Sequence, residues 1–300
     1  MRIGTRGSTL ALAQANWVKG RIEKGRPDLK VELVVIKTSG DRFVDSAIQN
    51  IGGKGIFTKE IEDALLGKEI DMAVHSMKDL PTELAEGLTI AAVPEREDPR
   101  DVLVTSNQSR LSDLSPQARL GTGSLRRRAQ LLHYRSDLAL VPIRGNVDTR
   151  LKKLDAGEVN GLIMAAAGLK RIGRADRIVE FIPDEICVSA VAQGALALES
   201  REDDPVRDQV SFLHDDDTCA AVTAERSFLK RLGGGCQVPV GARAAVERGR
   251  LKMVGVVANP DGSLLYRGEV DGLVSDGGKL GQELAGRLLH EGADKILALV

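Results

Sequence analysis

A chain of 300 residues exceeds what one hydrophobic core usually organises and points to two or three domains. Hydrophobic residues at 42% and charged residues at 28% are enough to build such cores. Aromatics at 3% argue against a base-stacking platform, and a net charge of −1 argues against a global field that gathers polyanions. Any anion site must come from local clusters of Lys and Arg. The opening MRIGTRGSTLALAQANWV lacks the apolar core of a secretion signal, and no window approaches the roughly 18 apolar residues of a spanning helix. Three cysteines without a CxxC and four scattered histidines offer neither a disulfide framework nor a metal-ligand spacing. The expectation is a cytosolic, reduced chain whose side chains hold no metal.

Short β-branched runs alternate with amphipathic stretches, the pattern of α/β architecture. A strand at Arg2–Gly4 and a helix at Leu10–Lys24 flank TRGST, which puts Arg6 and Ser8 at a strand-to-helix turn. A strand over Val31–Ile36 leads to Thr38–Phe57, long, aperiodic and bearing Gly40, Gly52, Gly53 and Gly55, which reads as a lid. Its GGKG lacks the spacing of a nucleotide loop. After a helix at Lys59–Leu66, a buried strand at Met72–His75 runs into Ser76, Lys78 and Asp79. Open α/β sheets place their sites at the carboxyl ends of strands. Asp79 is there either a ligand-facing carboxylate or a turn aspartate ahead of Pro81. A strand at Ile90–Val93 precedes the acidic PEREDPRD of Pro94–Asp101, which marks a hinge between two α/β units.

Strands at Val102–Thr105 and Leu120–Gly121 lead to GTGSLRRRAQLL, where Ser124 is the expected N-cap of a helix over Leu125–Tyr134. That helix opens with Arg126, Arg127 and Arg128. Cations at a helix start oppose its dipole, a conflict that points to a bound anion. Past a strand at Ala139–Pro142 the arrangement recurs: Arg144 precedes Asn146, the N-cap of Val147–Ala156, and Arg150 lies within that helix. Any one of these arginines reads as a solvated surface charge. Together they suit bidentate capture of carboxylates or phosphates. A strand at Gly161–Ala165 follows. The polar run His214–Asp217 opens a third domain, with a helix at Ala221–Leu232, a strand at Leu251–Ala258 and a helix at Lys279–Glu291. Cys219 shares helical spacing with Val222 and Leu229, and Cys187 lies in the apolar ICVSAVA, so both read as core. Cys236, in GGGCQVP, follows three glycines that supply no side chains to bury it, and reads as an exposed thiol.

The segments TRGSTLALAQ, GGKGIFTKE, AVHSMKDLPTE, EREDPRDV, GTGSLRRRAQL, RGNVDTRLKKL, AAAGLKRIG, AQGALALE and TAERSFLKRLGGGCQVPVGA cover most of the chain. In that order they resemble the porphobilinogen deaminase (hydroxymethylbilane synthase) family. The resemblance implies an α/β protein of three domains: residues 1–95 with 194–213, 96–193, and 214–300. The first two would resemble type II periplasmic-binding-protein domains with a cleft between them, and the third, smaller α/β domain would carry the cofactor cysteine. It implies a transferase that joins four porphobilinogens stepwise, releasing ammonia, into linear hydroxymethylbilane on a dipyrromethane cofactor attached through Cys236.

By the same resemblance Asp79 is the catalytic aspartate. Ser76, Lys78, Asp79, Ser124, Arg126, Arg127, Arg144, Arg150 and Gln193 would bind the cofactor. Arg6, Ser8, Lys54, Phe57 and Arg171 would bind substrate. The chain departs from the family pattern at Ser39, Asn50, Gly123 and Ala192, the last standing where glycine is frequent. A cytoplasmic monomer acting on a small molecule, without nucleic acid or membrane, is implied. A dicarboxylate-binding module without catalysis is the alternative, which accounts for the arginines but leaves Cys236 unexplained.

Overall fold

The computed structural model describes residues 1–39, 58–233 and 238–298. They form two compact units, each assembled from two chain segments: Met1–Glu97 with Gly194–Cys219, and Asp98–Gln193 with Ala220–Val300.

The first segment lays down strand β1 (Arg2–Thr5), helix α1 (Thr9–Gly25), β2 (Glu32–Val35), α2 (Lys59–Leu66), β3 (Met72–Ser76) and β4 (Leu88–Ala92). The chain then changes unit for β5 (Asp101–Thr105), β6 (Arg119–Gly121), α3 (Leu125–Tyr134), β7 (Ala139–Val141), α4 (Val147–Asp155), β8 (Gly161–Ala165), α5 (Ala166–Arg171) and β9 (Glu180–Phe181). It returns as β10 (Leu196–Arg201) and α6 (Val206–Val210). Helix α7 (Asp216–Arg231), β11 (Val240–Glu247), β12 (Arg250–Ala258), β13 (Leu265–Leu273) and α8 (Gly277–Leu288) follow.

The two five-stranded sheets have the same plan. One runs β2-β1-β3-β10-β4 and the other β7-β6-β8-β5-β9. In each, three parallel strands are followed by one antiparallel strand that pairs with both β3 and β4, or with both β8 and β9. That reversed strand is in both cases the first one formed after the chain changes unit. A third sheet, the antiparallel meander β11-β12-β13, occupies the C-terminal region.

Helix α1 forms because Ser8 caps it, its Oγ accepting from Ala11 N, and because Ala15, Val18 and Ile22 make one apolar stripe. The stripe joins Ile3, Met72 and Leu198 in a sealed core. Each such aliphatic side chain contributes about 1.5–3 kcal/mol. In the second unit, alternation along β5 and β8 sends Leu103 and Ile163 to one core and Val102, Val104 and Leu162 to another. Fully buried Phe228 of α7 lies against β12 at Gly255, where a Cβ would meet its ring at 2.6 Å.

Helix α7 starts at Asp216, not Ala221. Asp215 accepts from Thr218 N at 2.7 Å, and Asp216 and Asp217 suit the positive end of the dipole, so the acidic run begins the helix. Cys219 on that helix is half-buried, not core. Strands β9, β10, β11 and β13 escaped the sequence reading. LALESR is made of helix-favouring residues yet pairs on both sides, and β13 is interrupted by Gly268 and Gly272. Helix α8 stops at Leu288, ahead of a wide turn through Gly292 at φ +117°. No helix among the described residues is long and apolar enough to cross a membrane.

Candidate functional site

In the first unit, β3 ends at Ser76 and a single 3₁₀ turn, Met77–Asp79, follows. Met77 is buried and its N–H donates to Ala195 O, which fixes the turn and leaves Asp79 exposed. A cavity of about 60 Å³ opens there, bordered by Arg6, Ser8, Gln14, His75, Ser76 and Asp79 among others. Four residues singled out from sequence, Arg6, Ser8, Ser76 and Asp79, therefore meet on one surface. Lys78 shares the turn and is half-buried. Gln14 of α1 donates through Nε2 to Ser76 Oγ at 2.7 Å. Beside them His75 Nε2 lies 2.9 Å from Glu199 Oε2 on β10.

In the second unit, Ser124 caps α3, its Oγ accepting from Arg127 N. The first turn does not present Arg126 and Arg127 to solvent. Both are buried on fully buried Asp101 of β5: Arg126 Nη1 donates to Oδ2 at 2.6 Å, and Arg127 donates through Nε and Nη2 to Oδ1 at 3.0 and 2.7 Å. Gln193 Nε2 adds a bond to the same oxygen at 2.8 Å. The cations that oppose the helix dipole are thus answered in part by a protein carboxylate, which corrects the expectation that only a ligand would balance them.

The balance is incomplete. Arg150 of α4 is half-buried, donates Nε to Gly145 O, and pairs with no carboxylate among the described residues. Burial, with Arg127 close by, pushes its guanidinium down to about 10. Asp101 thus answers Arg126 and Arg127 while Arg150, beside Arg127, has no carboxylate among the described residues, and the patch retains positive charge for an anion.

Arg144 is exposed ahead of Asn146, whose side chain caps α4, and Arg171 is half-buried at the end of α5. Lys54, Phe57 and Cys236 lie outside the described residues, as does the expected lid from Gly40 onward. Sequence reading missed Gln14, Asp101 and Glu199. Asp101 was hidden in an acidic run that looks solvated, although it directly precedes the apolar VLV of β5. Ala192, next to Gln193, has φ +57°, the left-handed region that favours glycine, in keeping with the glycine that the resemblance expects there.

Two family models match: "Porphobilinogen deaminase, dipyromethane cofactor binding domain" over residues 1–209 and "Porphobilinogen deaminase, C-terminal domain" over residues 219–290. The chain belongs to the porphobilinogen deaminase family. Porphobilinogen deaminase of Pelobacter propionicus is 52% identical over 298 residues, covering 99% of this chain and 96% of its own. That of Geobacter metallireducens is 50% identical over 301 residues, covering 100% and 94%. A solved periplasmic aliphatic sulphonate binding protein of Escherichia coli aligns over 77% of this chain and 69% of its own, at 15% identity and a TM-score of 0.37. Membership makes the chain a transferase of tetrapyrrole biosynthesis that works with a dipyrromethane cofactor and takes porphobilinogen as substrate. Residues in the second unit fit such a group: acetate and propionate side chains suit the charge left over by Arg126, Arg127 and Arg150.

Proposed function

We propose that this chain joins four porphobilinogens into hydroxymethylbilane with Asp79 as its catalytic residue, Arg6 and Ser8 as substrate contacts, and the cluster of the second unit as holder of the cofactor. The supporting observation is the meeting of exposed Asp79 with Arg6, Ser8 and Ser76 on one cavity at the carboxyl end of β3. Loss of ammonia from the protonated aminomethyl group of the pyrrole leaves a cationic methylene conjugated with the ring. Asp79 accepts from the pyrrole N–H and stabilises that cation with its carboxylate. Arg6 binds the ring carboxylates, and Ser8, whose Oγ accepts at the helix cap, keeps its O–H as a donor.

Arg126, Arg127, Arg144 and Arg150, with Ser124, Gln193, Ser76 and Lys78, hold the cofactor carboxylates. Lys54, Phe57 and Arg171 contact the incoming unit. When bound through a thioether at Cys236, dipyrromethane supplies the pyrrole with a free α-carbon from which the chain grows. Three domains (1–95 with 194–213, 96–193 and 214–300) then divide the work, in a cytoplasmic monomer that uses neither nucleic acid nor membrane. The test is incubation of purified protein with porphobilinogen. One ammonia per porphobilinogen consumed and a released product of four pyrrole units are expected; binding without ammonia release would mean a carboxylate-binding module instead.

A further inference from the structure

The chemistry above leaves one titratable pair at the cavity without a role. His75 borders the cavity that Asp79 also borders, and its Nε2 contacts Glu199 Oε2 at 2.9 Å. Exposure is 5% for His75 and 0% for Glu199, so the pair is shielded from bulk water. In the β3–β10 ladder Ala197 stands opposite His75, which puts Glu199 on the same sheet face as a diagonal neighbour. With Glu199 Oε2 as the acceptor of this contact, Nε2 carries the imidazole hydrogen and Nδ1 keeps its lone pair. The His75 imidazole makes no other hydrogen bond among the described residues, and Glu199 Oε1 has no partner there. Glu62 of α2 faces the same pair; burial pushes its carboxyl up and Glu199 adds to that effect. Burying a carboxylate with one oxygen unbonded is unfavourable, and such arrangements cluster at working sites.

We propose that His75, oriented by Glu199, is the general base that removes the proton displaced each time a pyrrole–pyrrole carbon bond forms. This rests on the reaction proposed above. Ammonia departs with the C–N bonding pair and leaves the methylene cation beside Asp79. The free α-carbon of the acceptor pyrrole attacks that methylene, using a ring π pair to make the new C–C bond. The attacking α-carbon then carries both the new bond and its original hydrogen, which must go, with positive charge spread over its ring. Nδ1 takes the hydrogen as a proton, the C–H pair restores aromaticity, and the imidazolium is held by Glu199. The proton then passes to the ammonia, which leaves as ammonium and returns His75 to neutral. Asp79 exchanges no proton in this sequence and is ready for the next cation.

The experiment uses the cofactor-bearing protein with porphobilinogen deuterated at its free α-carbon. In His75→Gln, removal of that proton should become rate-limiting: kcat falls by about 100-fold or more, and a primary isotope effect appears that the parent lacks. Glu199→Gln should give the same signature, because its amide can donate to Nε2 and move the ring hydrogen to Nδ1. A second readout needs no turnover: with only four histidines, nitrogen-15 spectra should show His75 hydrogen on Nε2 in the parent and on Nδ1 in Glu199→Gln. Variants that keep the adduct, show kcat within a few-fold of the parent and show no isotope effect would overturn the role. So would a parent with hydrogen on Nδ1, whether or not the variants fold. A parent that releases no ammonia would instead remove the underlying reaction.

Discussion

Arg127 grips Asp101 through two nitrogens, Nε and Nη2, on a single oxygen, while Arg126 takes the other. Burial alone would push the Asp101 carboxyl up, but the two guanidiniums outweigh it and hold it well below the usual carboxylate range. Breaking a buried pair by removing one partner typically costs about 3–5 kcal/mol. Asp101→Asn is expected to lose about that much in urea unfolding. Because the folded value is depressed, the contribution is complete above the unfolded value of about 3.9 and declines only as pH falls towards the folded value. The gap between parent and variant should therefore stay constant from about pH 8 to about pH 5 and shrink in stronger acid. A gap below about 1 kcal/mol at neutral pH would show that the cluster does not hold the fold.

Arg150 should behave in the opposite way. Its charge is destabilised by burial and by Arg127, with no carboxylate against it among the described residues. Arg150→Met should leave the melting temperature of cofactor-free protein unchanged or raised. Assembly of the pyrrole adduct should slow by about tenfold or more, the worth of one charged hydrogen bond. Lower stability together with normal adduct formation would make Arg150 a structural residue.

The contrast between these two residues shows what was legible in the sequence. Arginines recurring at helix starts, with Ser124 and Asn146 as caps, stand out because local rules predict the caps and forbid the charges. In the first unit β1 and β3, and in the second β6 and β8, read as strands to within one residue of their bounds. Asp101 did not stand out, since its partners are 25 and 26 positions away in sequence. Glu199 lies in LALESR, where composition favours a helix and only pairing with β3 and β4 makes a strand. Long-range pairing leaves no local mark, and that is where sequence reading stopped.

Cys187 offers a chemical check on burial. Burial, reinforced by Asp101, pushes its thiol up to about 12. In the folded protein it should resist iodoacetamide at about pH 8.5, where a free thiol is substantially ionised, while half-buried Cys219 reacts faster. Peptide mapping after brief labelling reads the order; equal labelling would contradict the packing around Asp101.

Asp79→Asn preserves shape and removes charge. Loss of one preorganised electrostatic partner lowers rates by about 10²–10³. A drop of at least that size is expected, measured as ammonia release, with the pyrrole adduct retained. Activity within a few-fold of the parent would take Asp79 out of the reaction.

Intact mass of the purified protein, beside Cys236→Ser, Cys187→Ser and Cys219→Ser, tests most directly whether this chain builds a tetrapyrrole on a covalent dipyrromethane. The parent should carry an added mass of two pyrrole units and gain further units after brief exposure to porphobilinogen. Cys236→Ser should be folded, unmodified and almost inactive, while the other two variants keep both adduct and activity. An unmodified parent, or an adduct that survives in Cys236→Ser and vanishes in another variant, would contradict it.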